Sequence, residues 1–189
     1  IFGDSPYQPS SGCAGNIYFI DLDKLVDEGL LEKEEILGYN WGTDESEIDY
    51  AALHQNRCKI LQKAFERFDT NAQDFQDFVK KQSEWLEQYA LFMTLKTDNL
   101  YKNWSEWPSE YRNTQTVALE KYQKKNYNTI TFWKFCQYKF FEQWEDLKNY
   151  ANSKGIYIIG DISFYVGYDS VDVWAERQLF MMSANDTPE

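Results

Sequence analysis

The sequence predicts an α/β chain, part of a barrel carrying a large, mainly α-helical insertion. Three observations lead there. Gly155 opens an apolar run, Ile156, Tyr157, Ile158 and Ile159, that stops at Gly160-Asp161; this pattern reads as a strand buried on both faces, as in parallel sheets. The clearest amphipathic helix, over 131–153, feeds directly into that run, and a helix entering a buried strand is half of a βα repeat. A long stretch before it has helical periodicity. One strand cannot make a sheet, because its edges carry unpaired backbone groups. Its partners are therefore expected outside these 189 residues, the weaker alternative being pairing with the short run Ile17–Ile20.

In chain order, residues 1–16 hold Gly, Pro, Ser and Asn at a density that excludes a helix or central strand. They read as a loop restrained by Pro6 and Pro9, with Tyr7 available to pack. Asp21 is a good N-cap for the segment LDKLVDE, and Gly29 a good C-cap. Residues 31–50 are acidic and weakly patterned, and read as surface loop. Cys58, Leu61, Ala64, Phe65 and Phe68 recur at helical spacing, predicting a helix over 54–68. A single helix is expected over 72–96, its apolar face widened by Trp85 and Phe92. The stretch 103–108 ends at Pro108 and breaks the helical run. A polar helix is expected over 110–125. Trp133, Cys136, Phe140, Trp144, Leu147 and Ala151 form the stripe of the helix over 131–153, and Gly155 closes the link to the strand.

Composition narrows the function. A net charge of −12 argues against nucleic acid, since little here would neutralise phosphates, and equally against an anionic membrane surface. No run of about 18 apolar residues is available to span a bilayer. Ile1 rather than Met fits a longer parent chain. No leader segment is visible, so a cytoplasmic location is the expectation. Cys13, Cys58 and Cys136 are far apart and include no CxxC pair; they read as free thiols in a reducing compartment. His54, the single histidine, has no ligand-type neighbours at metal spacing and leaves no serine or cysteine triad to build. The unusual quantity is an aromatic fraction of 18%, enough to fill a core and leave rings over.

A carboxylate at the end of a buried strand sits at the mouth of the sheet, where α/β folds keep their chemistry. Asp161 occupies that position. Phe164, Tyr165 and Tyr168 follow it, then Asp169, Ser170, Asp172 and Trp174. Aromatic planes beside carboxylates suit a sugar, whose C–H faces stack and whose hydroxyls hydrogen-bond. A buried strand can also end in Gly-Asp for structural reasons alone, so the pattern leaves Asp161 open between the two roles.

Two separated motifs then carry a resemblance: Gly3-Asp4-Ser5-Pro6-Tyr7-Gln8 with Ala14-Gly15-Asn16, and Gly160-Asp161-Ile162-Ser163-Phe164-Tyr165-Val166 with Asp169-Ser170-Val171-Asp172-Val173-Trp174. Between them come Ile48-Asp49-Tyr50, Tyr89-Ala90-Leu91-Phe92, Trp104, Trp107-Pro108, Gln137-Tyr138, Phe140-Phe141 and Gln143-Trp144. The ordered set resembles the 4-α-glucanotransferases, the amylomaltase or disproportionating-enzyme family of the α-amylase superfamily, across essentially the whole chain. Ser163 in place of a usual Pro, Pro9 in place of a usual Ser and Ile17 in place of a usual Pro are departures that touch loop geometry but no matched acid.

The resemblance implies a (β/α)8 TIM barrel of which 1–189 is a partial catalytic domain. In it 15–130 is the helical insertion, and 131–174 is a helix, the third strand (156–162) and the following loop. The rest of the barrel is needed for a complete fold. It implies retaining transfer of α-1,4-glucan segments to the 4-hydroxyl of glucose or another maltodextrin, with no metal or organic cofactor. The family's nucleophile and acid/base come from later strands, so no catalytic residue is expected here. Tyr7 matches a loop tyrosine that stacks on the sugar, Asp4 and Ser5 share its motif either as substrate contacts or as caps of the turn, and Asp161 matches a supporting carboxylate. Asp169, Ser170, Asp172 and Trp174 match a signature that reads as loop architecture. Two rival readings are a non-catalytic glucan-binding module and a helical interaction protein.

Overall fold

Helices dominate the computed structural model, which describes residues 8–44, 46–160 and 165–183. They are α1 (Leu22–Asp27), α2 (Lys33–Leu37), α3 (Tyr50–Arg67), α4 (Gln73–Lys81), α5 (Ser83–Asp98), α6 (Ser109–Arg112), α7 (Thr116–Lys125), α8 (Tyr127–Ser153) and α9 (Val171–Ala175). Single 3-10 turns lie at Ile17–Phe19, Trp104–Glu106 and Arg177–Leu179. No strand forms among the described residues, a lone bridge at Met182 aside.

The helix ends follow local chemistry. Asp21 caps α1 by accepting from Asp23 N at 2.9 Å. Beyond its other end Gly29 takes a left-handed φ of +75°, and Leu30 N reaches back to Leu25 O while Gly29 N reaches Val26 O, the paired bonds of a Schellman turn. The same pair, Ile156 N to Ala151 O and Gly155 N to Asn152 O, closes α8. Two further ends adopt this turn without glycine: Leu100 and Tyr101 after α5, and Thr114 after α6, have positive φ. Side chains rarely accept that region.

Four expectations need correction. Residues 31–50 contain α2, whose start is fixed when Glu35 accepts from the backbone N–H of Glu32, and Leu30 and Leu31 are buried. The single helix over 72–96 is two, because Gln82 leaves helical geometry at ψ 10°. The polar helix over 110–125 is also two, parted at Thr114. Residues 156–160 form no strand. Tyr157 and Ile159 stand 82% and 93% exposed, since no neighbouring strand among the described residues pairs with them or covers them. Ile17–Phe19 is a 3-10 turn, which removes the alternative partner.

The described chain divides into two compact units. The first holds residues 1–14, 81–134 and 160–189. Its core is tryptophan-rich: Phe92 lies 5.3 Å from Trp107 and 5.7 Å from Trp174, ring centre to ring centre, with Leu86, Leu95 and Trp104 fully buried. The second holds residues 15–80 and 135–159. Its core is phenylalanine-rich: Phe68 packs edge-on to Phe75 at 5.3 Å and against Phe135 at 4.9 Å. Each large side chain so buried contributes roughly 1.5–3 kcal/mol.

Glutamines fasten the second unit's entry segment to α8. Gly15 N donates to Gln137 Oε1 at 2.8 Å and Gln137 Nε2 donates to Gly15 O at 3.0 Å. Six residues on, Asp21 N donates to Gln143 Oε1 and Gln143 Nε2 to Asp21 O, at 2.7 and 3.1 Å. Lys24 pairs with Asp146 at 3.0 Å. Every one of these ties joins residues 122 apart in sequence, so 15–24 runs beside α8 in the same direction. The 3-10 turn shortens the segment to match: six helical residues rise about 9 Å, whereas six extended ones cover about 20 Å. Gly15 must be glycine, because a Cβ there would fall 1.9 Å from the Phe140 ring.

Candidate functional site

The loop 8–14, which links the two parts of the first motif, and the stretch 165–175, which holds most of the second, meet in the first unit. Val171 N donates to Ser10 O at 2.9 Å. Gly12 N donates to Asp172 Oδ2 at 3.0 Å across 160 residues of sequence. Ser11, itself buried, turns the loop by accepting from Cys13 N and Ala14 N at 3.1 and 3.2 Å, a local hydroxyl-to-backbone arrangement. The loop and the second motif approach closely at Gly167, where a Cβ would lie 3.3 Å from Pro9 O.

The second motif is held as firmly from behind. Ser170 Oγ caps α9 by accepting from Val173 N, and Val171, Val173 and Trp174 are buried. The Trp174 indole donates to Tyr111 O at 3.0 Å. Asp169 pairs with the nearly buried Lys96 ammonium at 2.5 Å and accepts from Trp104 N at 3.2 Å. Lys96 also donates to the carbonyls of Tyr101 and Lys102, so one cation stabilises the strained turn after α5 and fastens it to the motif. Asp169, Ser170, Asp172 and Trp174 thus all take part in shaping this loop region.

Beside this junction lies a cleft of about 480 Å³. Trp85, Tyr165 and Phe180 supply rings, Glu84, Asp172 and Glu176 supply carboxylates, and Gln88 supplies an amide. Ser11 and Cys13 line the loop side. Partial burial first, and the Asp172 carboxylate second, push the Cys13 thiol above its ordinary value, which keeps it protonated and a poor nucleophile. Rings with acceptors and hydroxyl partners suit an uncharged polyhydroxyl ligand better than an anion. Among the described residues, no group of three His, Cys, Asp or Glu side chains is arranged to hold a metal ion, and no helix is long and apolar enough to cross a membrane.

Asp4, Ser5, Tyr7 and Asp161, the site residues the sequence singles out, lie outside the described residues. Gln8, next to Tyr7 in sequence, and Tyr165, four residues after Asp161, belong to the two stretches described above. Sequence reasoning missed Glu84, Trp85 and Gln88 as wall residues and took Trp85 as part of a wide apolar face. A signal was present: Glu84 precedes that tryptophan and Gln88 follows it one helical turn on, so its face is not wholly apolar.

Comparison with known proteins agrees with the resemblance. The chain matches the 4-alpha-glucanotransferase family over residues 2–186. It is similar to the 4-alpha-glucanotransferase of Streptococcus pneumoniae, at 43% identity over 189 residues covering 97% of this chain and 37% of that protein. The 4-alpha-glucanotransferase of Clostridium butyricum is 39% identical over 183 residues, covering 96% of this chain and 38% of that protein. A solved structure of amylomaltase from Streptococcus agalactiae in complex with acarbose matches with a TM-score of 0.91 at 37% identity, covering 98% of this chain and 38% of that one. The chain therefore spans 37–38% of the length of these relatives. With a family match running through nearly every residue, the chain belongs to the 4-alpha-glucanotransferase family.

Proposed function

We propose that this chain contributes to a 4-α-glucanotransferase that moves α-1,4-glucan segments to the 4-hydroxyl of glucose or another maltodextrin. The observation that carries the reading is the family match over residues 2–186. The meeting of loop 8–14 with 165–175 beside a cleft of rings and carboxylates supports it from the geometry.

The reaction is a retaining double displacement: a carboxylate attacks the anomeric carbon, a glycosyl-enzyme forms, and an acceptor hydroxyl replaces water. Keeping water out matters because it competes with the acceptor. In this reading the nucleophile and the acid/base belong to other parts of the enzyme. Tyr7 stacks on the sugar, Asp4 and Ser5 hydrogen-bond it, and Asp161 supports the site without being the nucleophile. No metal or organic cofactor takes part. The architecture proposed with it is a TIM barrel in which 15–130 is a helical insertion and 156–162 the third strand, paired once the rest of the barrel is present. The enzyme is cytoplasmic, with neither nucleic acid nor membrane as partner.

The test is disproportionation of maltotriose by the full-length gene product. Glucose together with maltodextrins longer than the substrate is the expected outcome; glucan binding without transfer overturns the enzymatic reading. Tyr7→Ala is expected to lower kcat/KM about tenfold through lost stacking, and unchanged kinetics would remove that role.

A further inference from the structure

We propose that Asp172 is a positioning residue for glucan transfer: from the first turn of α9 its carboxylate holds the loop 8–14 by the amide of Gly12. The proposal rests on the function proposed above and assigns a task to a residue of the second motif. Three observations carry it.

First, the two partners differ in rigidity. Ser170, Val171, Val173 and Trp174 are buried around Asp172, and the Trp174 indole is fixed to Tyr111 O. The loop 8–14 has no helix or strand of its own and takes its shape from the Ser11 turn and from bonds to α9. Asp172 thus projects from a fixed element onto a segment that needs fixing.

Second, the contact shapes the cleft directly. Ser11 and Cys13 form its loop side, and Asp172 forms the adjoining wall. Gly12 lies between those two loop residues, and its amide donates to Asp172 at 3.0 Å. Release of that amide would let the loop side of the cleft move away from α9.

Third, the bond is not needed to hold the core. The Gly12 amide lies at an exposed position, so water replaces the carboxylate once it is removed and no buried donor is left unpaired. A Cβ on Gly12 would meet Asp172 Oδ1 only at 3.5 Å, so the contact is not enforced by crowding. The effect of losing Asp172 should therefore fall on the loop and on turnover rather than on global stability.

The experiment compares Asp172→Ala with Asp172→Asn in the full-length protein, reading amide hydrogen exchange over residues 8–14 and maltotriose kinetics. Asparagine keeps an acceptor oxygen and alanine does not. Loss of one hydrogen bond to a charged group predicts about tenfold faster exchange at the Gly12 amide and about a tenfold lower kcat/KM for Asp172→Ala. Asp172→Asn is expected to retain most of both, with the melting temperature of each variant near that of the parent. In a Tyr7→Ala background the further loss caused by Asp172→Ala is expected to shrink, because the loop then has less to position. Unchanged exchange, equal damage from alanine and asparagine, or loss of activity that follows loss of folding overturns the proposal. Faster exchange with unaltered kinetics sinks this proposal alone, whereas a parent enzyme that does not disproportionate maltotriose sinks the functional reading beneath it.

Discussion

In the first unit, three core indoles join Lys96 in donating to backbone carbonyls at loops and turns; in the second, such donors come mainly from polar side chains on helices, the Trp41 indole aside. Trp104, Trp107 and Trp174 donate their indole N–H groups to the carbonyls of Tyr168, Lys102 and Tyr111. In the second unit Arg57 donates to the carbonyls of Tyr18 and Ile20, Arg67 to Leu30 O and Asn56 to Asn40 O, while Gln137 and Gln143 hold the segment leading into α1. Both solutions answer the same demand, since carbonyls outside regular structure require donors when water is excluded. They differ in what accompanies the donor. An indole brings a large apolar body with its hydrogen bond, whereas a guanidinium must be desolvated to reach its partners.

The contrast predicts a larger loss on removing an indole. Trp104→Ala is expected to destabilise by about 3–5 kcal/mol, because the ring is fully buried and Tyr168 O loses its donor. Trp104→Phe, which keeps most of the volume, should cost about 1–2 kcal/mol. Chemical denaturation of the two variants separates packing from hydrogen bonding, and equal costs would break the distinction.

A smaller effect is expected from Arg57→Met, about 1–2 kcal/mol. Two carbonyls lose donors, but the change also removes a buried Nε without a hydrogen-bond partner and a guanidinium whose pKa is lowered first by burial. A loss as large as that of Trp104→Ala would show that the polar ties are worth as much as the aromatic ones.

The smallest effect concerns acid. Glu35 is held down to about 2, chiefly by the Arg67 hydrogen bond and next by the Glu32 backbone N–H, with Arg67 Nη1 at 2.6 Å. A depressed folded pKa means the contribution is complete above the ordinary carboxylate value and is lost as pH falls towards the folded one. Between about pH 5 and about pH 2.5 the parent should therefore lose more melting temperature than Glu35→Gln. Parallel curves for the two would remove Glu35 from the second unit's acid sensitivity.

Legibility in the sequence followed the range of the interaction. The ends of α1 and α8 could be read locally, because Asp21, Gly29 and Gly155 act within a turn of where they stand. α2 was hidden because its N-cap is Glu32, a residue type uncommon there. The break at Gln82 was hidden because no glycine or proline marks it; the two helices on either side serve different cores. Thr114 hid a turn that glycine would have announced. Ile156–Ile159 carry a strand's composition, yet strand formation needs partners that composition cannot supply. At the candidate site, the two motifs were legible as residue types, and Asp169, Ser170, Asp172 and Trp174 as loop architecture. The pairing of Gly12 with Asp172 and the cleft wall from α5 were not, since both arise from contacts far apart in sequence.

The matched ties of Gly15 with Gln137 and Asp21 with Gln143 act as a gauge on chain length. Adding one residue between Gln137 and Gln143 would turn one amide of α8 out of phase with the other by about 100° of helix rotation, and adding one between Gly15 and Asp21 would make the segment too long for the helical rise it spans. Additions in the loop after α2 leave both pairs untouched. Length variation in this part of the molecule is therefore confined to its loops, and the two six-residue windows admit substitutions but no insertion or deletion.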